Sequence, residues 1–153
     1  MSKISRVIFA GNLLKEEAET KDEMHGAFKA EEMYTKIFQN MQSSMTLLDS
    51  FFFDLSQSIN IDVMPGQNDP SDDTLPQQPL NRAYFSKSYP RANFSAATNP
   101  HAFKVGETQF LGTSGQNIQD LYHYTDFSDN NIDLMEASFY WRNIAPSAPD
   151  TLK

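Results

Sequence analysis

A long stripe of apolar residues between two short apolar runs is the feature that most constrains the fold of this chain. From about residue 22 to residue 56, apolar side chains recur at steps of mostly three or four positions. This spacing predicts one amphipathic helix of about 35 residues and about 50 Å. Val7-Ile8-Phe9 before the stripe and Ile59–Met64 after it indicate buried parallel strands. The chain is therefore predicted to belong to the α/β class, with a right-handed β-α-β crossover. The stripe consists of Met24, Phe28, Tyr34, Phe38, Met41, Met45, Leu48, Phe52 and Leu55.

The second apolar run ends in a turn rich in proline. Pro65-Gly66 breaks the run, and three prolines between residues 65 and 76 forbid regular structure there. Gln67, Asn68 and Asp69 follow the turn, at the carboxyl end of a predicted parallel strand. Ligand sites of α/β sheets usually lie at this edge, so these three residues are candidate site residues.

The remaining chain predicts short elements joined by turns. Polar, irregular structure is expected over residues 86–100, where Asn99-Pro100 signals a turn. Further elements are predicted as a helical turn at Leu80–Phe85, a β-hairpin of Ala102–Val105 and Thr108–Leu111, a short helix at Gln116–Tyr122 after Gly112–Gly115, and an amphipathic helix at Asp129–Asn143. In the last helix, Ile132, Met135, Phe139 and the stem of Arg142 are predicted to line one face.

Composition narrows the classes of function. The chain has 153 residues, no cysteine and a formal net charge of −8, and 39% of its residues are hydrophobic. The absence of cysteine excludes disulfide frameworks and thiolate metal sites. Net acidity argues against a major nucleic-acid surface, because such surfaces neutralise phosphates with Lys and Arg. No apolar run approaches the length of a membrane span, which predicts no membrane partner.

Several sequence blocks carry a family resemblance that covers nearly the whole chain. The blocks are VIFAGNLL at 7–14, PGQNDP at 65–70, LPQQPL at 75–80, FLGTSGQN at 110–117 and APDTL at 148–152. In this order they resemble the small (B) subunits of eukaryotic replicative DNA polymerases, and the combination of LPQQPL with FLGTSGQN resembles the delta branch. The resemblance implies part of a calcineurin-like metallophosphoesterase sandwich. It also implies that residues 1–153 are the central portion of that domain, since family members carry an oligonucleotide/oligosaccharide-binding domain and further phosphoesterase segments outside these blocks.

The same resemblance implies a degenerate two-metal site. Active phosphoesterases place carboxylates and imidazoles where this chain has neutral side chains, and the amides here are poor replacements for such ligands. Asp69 is the one carboxylate kept, and it is interpreted as a turn-former rather than a ligand. Degenerate site positions are Asn12, Gln67, Asn68, Asp69, Leu111, Gln116 and Asn117; retained structural turns are Gly11, Pro65, Gly66, Gly112 and Gly115. No catalytic residue, metal or cofactor is therefore predicted.

The function implied by the resemblance is that of a non-catalytic scaffold. Such a protein would join the catalytic subunit of DNA polymerase delta to the third accessory subunit in the nucleus, and it would meet DNA only indirectly. One alternative is a remnant metal-dependent phosphodiesterase or nuclease, and another is the small subunit of a different replicative polymerase. A third is direct nucleic-acid binding by basic residues with interleaved aromatics. That cluster comprises Arg82, Lys87, Arg91 and Lys104 with Tyr84, Phe85 and Tyr89.

Some further residues receive packing roles. His25, His101 and His123 fall in unrelated contexts and are interpreted as surface or packing residues. Phe51–Phe53 cannot all face one side of a helix, so one or two of them are expected at a second contact, either with other parts of the domain or with a partner. Trp141 is expected in the core or at an interface.

Overall fold

The computed structural model describes residues 4–14, 27–125 and 130–152. Within them the chain forms five strands, three α-helices and one 3₁₀ turn at Arg82–Phe85. The strands are β1 (Arg6–Ala10), β2 (Asn60–Met64), β3 (Phe94–Ala96), β4 (His101–Val105) and β5 (Thr108–Gly112). The helices are α1 (Ala27–Leu55), α2 (Gln116–Tyr122) and α3 (Asn131–Trp141). The predicted α/β class is confirmed, as is the long helix between the first two strands; its predicted start at residues 22–26 lies outside the described residues.

The first sheet is parallel and has β2 at its centre. β1 pairs with β2, with Val7 opposite Ile61, and β3 pairs with the other edge of β2. The predicted parallel β-α-β pair is therefore confirmed. Residues 86–100 were expected to be irregular, and this was wrong at β3. A strand of three residues is too short to show a period of two, and β3 is specified by its pairing with β2 rather than by its own sequence.

The core lies between this sheet and the C-terminal half of α1. Phe52, Phe85 and Phe94 pack with ring centroids 5.3–5.9 Å apart. Earlier in the helix, Tyr34 and Phe38 of the predicted stripe are exposed. They are exposed because the helix is longer than the strands. A five-residue strand spans about 17 Å and a 29-residue helix about 44 Å, so α1 extends well past the sheet.

The Phe51–Phe53 run divides between the core and two contacts within this chain, and the expected contact with another part of the domain or a partner stays a prediction. Phe52 is fully buried, Phe51 is half exposed beside the ring of Phe9, and Phe53 lies under the Arg91 guanidinium at 5.0 Å. Three consecutive helical residues point in three directions, so one run serves the core and two separate contacts.

Asp49 attaches the segment after the 3₁₀ turn to α1. Its carboxylate is buried and accepts hydrogen bonds from the backbone N–H groups of Lys87 and Ser88 at 2.9 Å and from the Ser88 hydroxyl at 2.6 Å. Burial alone would raise the pKa of Asp49, but the hydrogen bonds donated by Ser88, Lys87 and Ser86 together hold that pKa below its usual value of 3.8. Asp49 falls between apolar positions of the helix, and no sequence pattern signals this role.

The predicted hairpin is confirmed as an antiparallel β4-β5 pair, with His101 opposite Gly112. It meets the parallel sheet at Asp62, a buried carboxylate of β2 that forms an ion pair with Arg6 and lies 3.2 Å from His101 Nε2. The His101 ring also stacks on Phe103 with centroids 5.4 Å apart. His101 thus has a packing role, as predicted. His123 is exposed, and His25 lies outside the described residues.

α2 and α3 form a helical pair beside the sheets. Leu121 of α2 and Leu134 of α3 are buried, and Asn130 caps α3 by accepting from the Ile132 N–H at 3.1 Å. Trp141 does not lie in the core, since its side chain is half exposed, and its place at an interface stays a prediction. No helix in the described part of the chain is long and apolar enough to cross a membrane.

Candidate functional site: the loops after β1, β2 and β5

Three loops meet so closely that glycine is required at their contact. A Cβ atom on Gly11 would lie 2.7 Å from the Gly66 Cα atom and 2.7 Å from the Ser114 Cβ atom. A Cβ atom on Gly66 would lie 2.3 Å from the Asn12 backbone nitrogen. The loops after β1, β2 and β5 are therefore in van der Waals contact at the edge where the sequence predicted a site.

Asp69 holds two of these loops together. Its Oδ1 atom accepts from the backbone N–H groups of Leu13 at 2.8 Å and Leu14 at 3.1 Å, and its Oδ2 atom accepts from the Gly66 N–H at 2.9 Å. The residue is only 6% exposed. Both carboxylate oxygens are thus occupied by backbone donors from the loops after β1 and β2.

Asn12 makes a second link between the same loops. Its backbone has φ 53°, a left-handed conformation that asparagine tolerates better than most residues. Its Oδ1 atom accepts from the Asn68 N–H at 3.2 Å. Gln67 and Asn68 are exposed beyond this contact. Asn12, Asn68 and Asp69 are therefore brought together, as their predicted shared site requires.

A buried amide network connects the β5 loop to the turn after β2. Asn99 Nδ2 lies 2.8 Å from Gln77 Oε1, 2.6 Å from Ser114 Oγ and 2.7 Å from Gln116 Oε1. Gln77 Nε2 in turn donates to the Gly66 carbonyl at 3.2 Å. Gln77 and Asn99 also exchange two backbone hydrogen bonds. Because both are fully buried, the network fixes the relative position of the two loops.

Gln77 and Asn99 were not among the predicted site residues. A signal existed for each, since Gln77 lies between two prolines in LPQQPL and Asn99 precedes Pro100. Only the tertiary structure pairs them, because 22 residues separate them in sequence.

The other predicted positions fall on the flank of the site. Asn117 is buried, accepts from the Thr113 hydroxyl at 3.1 Å and donates to the Ile144 carbonyl at 2.6 Å, which ties α2 to the segment after α3. Leu111 lies on β5 and is more than half exposed. Gly115 has φ +95° at the start of α2, a conformation that favours glycine even though the space around it is open.

A shallow cleft of about 210 Å³ opens beside the site, between Gln67 and Gln116. Asp120 lines it and accepts from the hydroxyls of Thr151, at 2.8 Å, and Ser147. Among the side chains that the structure describes, no group of three or more His, Asp or Glu residues is placed to hold a metal ion.

The alternative stacking surface for nucleic acid loses one of its aromatic rings in the structure. Phe85 is fully buried in the core, so its ring is unavailable for stacking on a base. Lys87 donates to Ser50 Oγ at 2.9 Å, and Lys104 pairs with Glu107 at 3.4 Å on the hairpin. The structure contradicts the inclusion of Phe85 in that cluster.

Comparison with known proteins gives one family and a consistent set of relatives. The model of the family of DNA polymerase alpha/epsilon B subunits matches residues 1–153. Proteins named DNA polymerase delta small subunit are similar to the chain. The one from Arabidopsis thaliana is 47% identical over 105 residues, which covers 69% of this chain and 24% of that protein. The one from Oryza sativa subsp. japonica is 37% identical over 151 residues (99% and 33%), and the one from Saccharomyces cerevisiae is 36% identical over 138 residues (71% and 28%). The chain thus spans a quarter to a third of the length of these relatives.

Proposed function

The chain belongs to the family of DNA polymerase alpha/epsilon B subunits, and from that membership we propose that it is part of a non-catalytic accessory subunit of DNA polymerase delta. In this role it acts as a scaffold in the nucleus, joining the catalytic subunit to the third accessory subunit during DNA replication and repair. Relatives from two plants and a yeast that share the name DNA polymerase delta small subunit support the delta branch.

The observation that carries the non-catalytic part of the proposal is the hydrogen bonding of Asp69. A binuclear hydrolase holds two cations about 3.5–4 Å apart with anionic oxygens and imidazoles. Here Asp69 is the buried carboxylate at the contact between the described parts of these loops, and three backbone N–H groups already occupy its two oxygens. Its neighbours Asn12 and Asn68 carry neutral amides, and the Asn12 oxygen also accepts from backbone. This donor set does not fit a two-metal centre.

The converging loops are best explained as a phosphoesterase-like edge kept for its shape. Gly11 and Gly66 allow the loops to touch, and Asp69 and the Gln77–Asn99 network take the place of metal ions in holding them. A parallel sheet and an antiparallel hairpin meeting at Asp62 are compatible with one part of a calcineurin-like sandwich. We accordingly propose that residues 1–153 correspond to the central portion of such a domain.

Contact with DNA is proposed to be indirect. The net charge of −8 opposes binding to phosphates, and Phe85 of the candidate stacking cluster lies in the core. A protein partner recognised through apolar side chains is therefore a better match for this acidic chain than a nucleic acid is.

Co-purification tests the proposal. The protein, expressed at its natural length, is mixed with the catalytic subunits of polymerases alpha, delta and epsilon in separate reactions, at equal concentration and moderate salt. We expect stoichiometric recovery with the delta subunit alone. Recovery with the alpha or epsilon subunit would assign the chain to a different polymerase, and recovery with none would remove the scaffold role.

Calorimetric titration with Mn²⁺ and Zn²⁺ tests the rival hydrolase. We expect no saturable binding at micromolar metal and no metal-dependent cleavage of a phosphodiester. Tight metal binding that disappears in Asp69→Asn, while persisting in the exposed control Asp73→Asn, would establish the hydrolase instead.

A further inference from the structure

We draw no further inference here: the strongest candidate, the exposed apolar stripe of α3 (Ile132, Met135 and Phe139) with the groove beside it, carries nothing, because the groove is lined by polar as well as apolar side chains and nothing in the described part of the chain shows what covers it.

Discussion

Replacing Asp69 by Asn separates a structural carboxylate from a metal ligand. The substitution keeps the size of the side chain and leaves one oxygen able to accept from Leu13 and Leu14. The new amide NH₂ group then faces the Gly66 N–H, which is 2.9 Å from Oδ2 in the native chain. One donor is left unsatisfied in a buried place, and two remaining hydrogen bonds lose their charge.

The expected loss follows from these contacts. Hydrogen bonds to a charged group contribute about 1.5–3 kcal/mol each, and a buried unsatisfied donor costs about 1–3 kcal/mol. Asp69→Asn should therefore lower the free energy of unfolding by about 2–3 kcal/mol. Asp69→Ala leaves all three N–H groups without an acceptor and should cost about 4 kcal/mol. Asp73→Asn, at an exposed position of the same loop, should stay within about 0.5 kcal/mol of the wild type.

Urea unfolding followed by circular dichroism measures these differences, with EDTA in one series and Mn²⁺ in another. We expect the same loss in both series, since the carboxylate acts on backbone N–H groups. A loss below about 0.5 kcal/mol would show that the hydrogen bonds contribute nothing to stability. A wild type that Mn²⁺ stabilises through Asp69 would show that the residue is a ligand.

Five further substitutions test other parts of the fold by the same unfolding measurement. Gly66→Ala should lower the free energy of unfolding by about 3 kcal/mol, because the new Cβ atom would meet backbone atoms. Gly106→Ala should cost only about 1 kcal/mol, since its surroundings are open and only its φ of +59° is unfavourable. Equal losses would contradict the close loop contact. The depressed pKa of Asp49 gives stability that is present above pH 3.8 and lost as the pH falls through the lower folded value. Asp49→Asn should therefore cost about 2 kcal/mol at pH 7 and progressively less below about pH 4, and a pH-independent cost would refute this. Asn99→Leu should lower the free energy of unfolding by about 3 kcal/mol. Gln77→Leu should cost less in a chain that already carries Asn99→Leu than in the wild type, and strictly additive costs would show that the two amides are not coupled.

Local patterns predicted the long elements and the turns well. The stripe before Ile59–Met64 indicated α1 and its place between two parallel strands, and the Gly106 turn indicated the hairpin. These predictions succeed because hydrophobic periodicity and turn-forming residues determine local structure over a few residues of sequence. The prediction was wrong at β3 because its three residues form a strand only by pairing with β2, which is distant in sequence.

The candidate site was predicted in part. Asn68 and Asp69 were chosen from their position after a strand and Asn12 from the family resemblance, and the three residues do meet at one edge. Gln77 and Asn99 were missed because a buried polar pair leaves no periodic mark in a sequence. The extent of burial along α1 was also missed, because helix length is set locally while burial depends on the length of the sheet.

By itself the sequence determined the α/β class, the order of the main elements, the family and the neutral side chains at the converging loops. Residue types and short spacings carry that information directly. The tertiary structure alone decided what holds these loops together, namely a carboxylate accepting from three backbone N–H groups and a buried amide network linking distant loops. It also decided that the apolar stripe of α3 faces outward. Both outcomes depend on which distant segments come into contact, and no local pattern specifies those contacts.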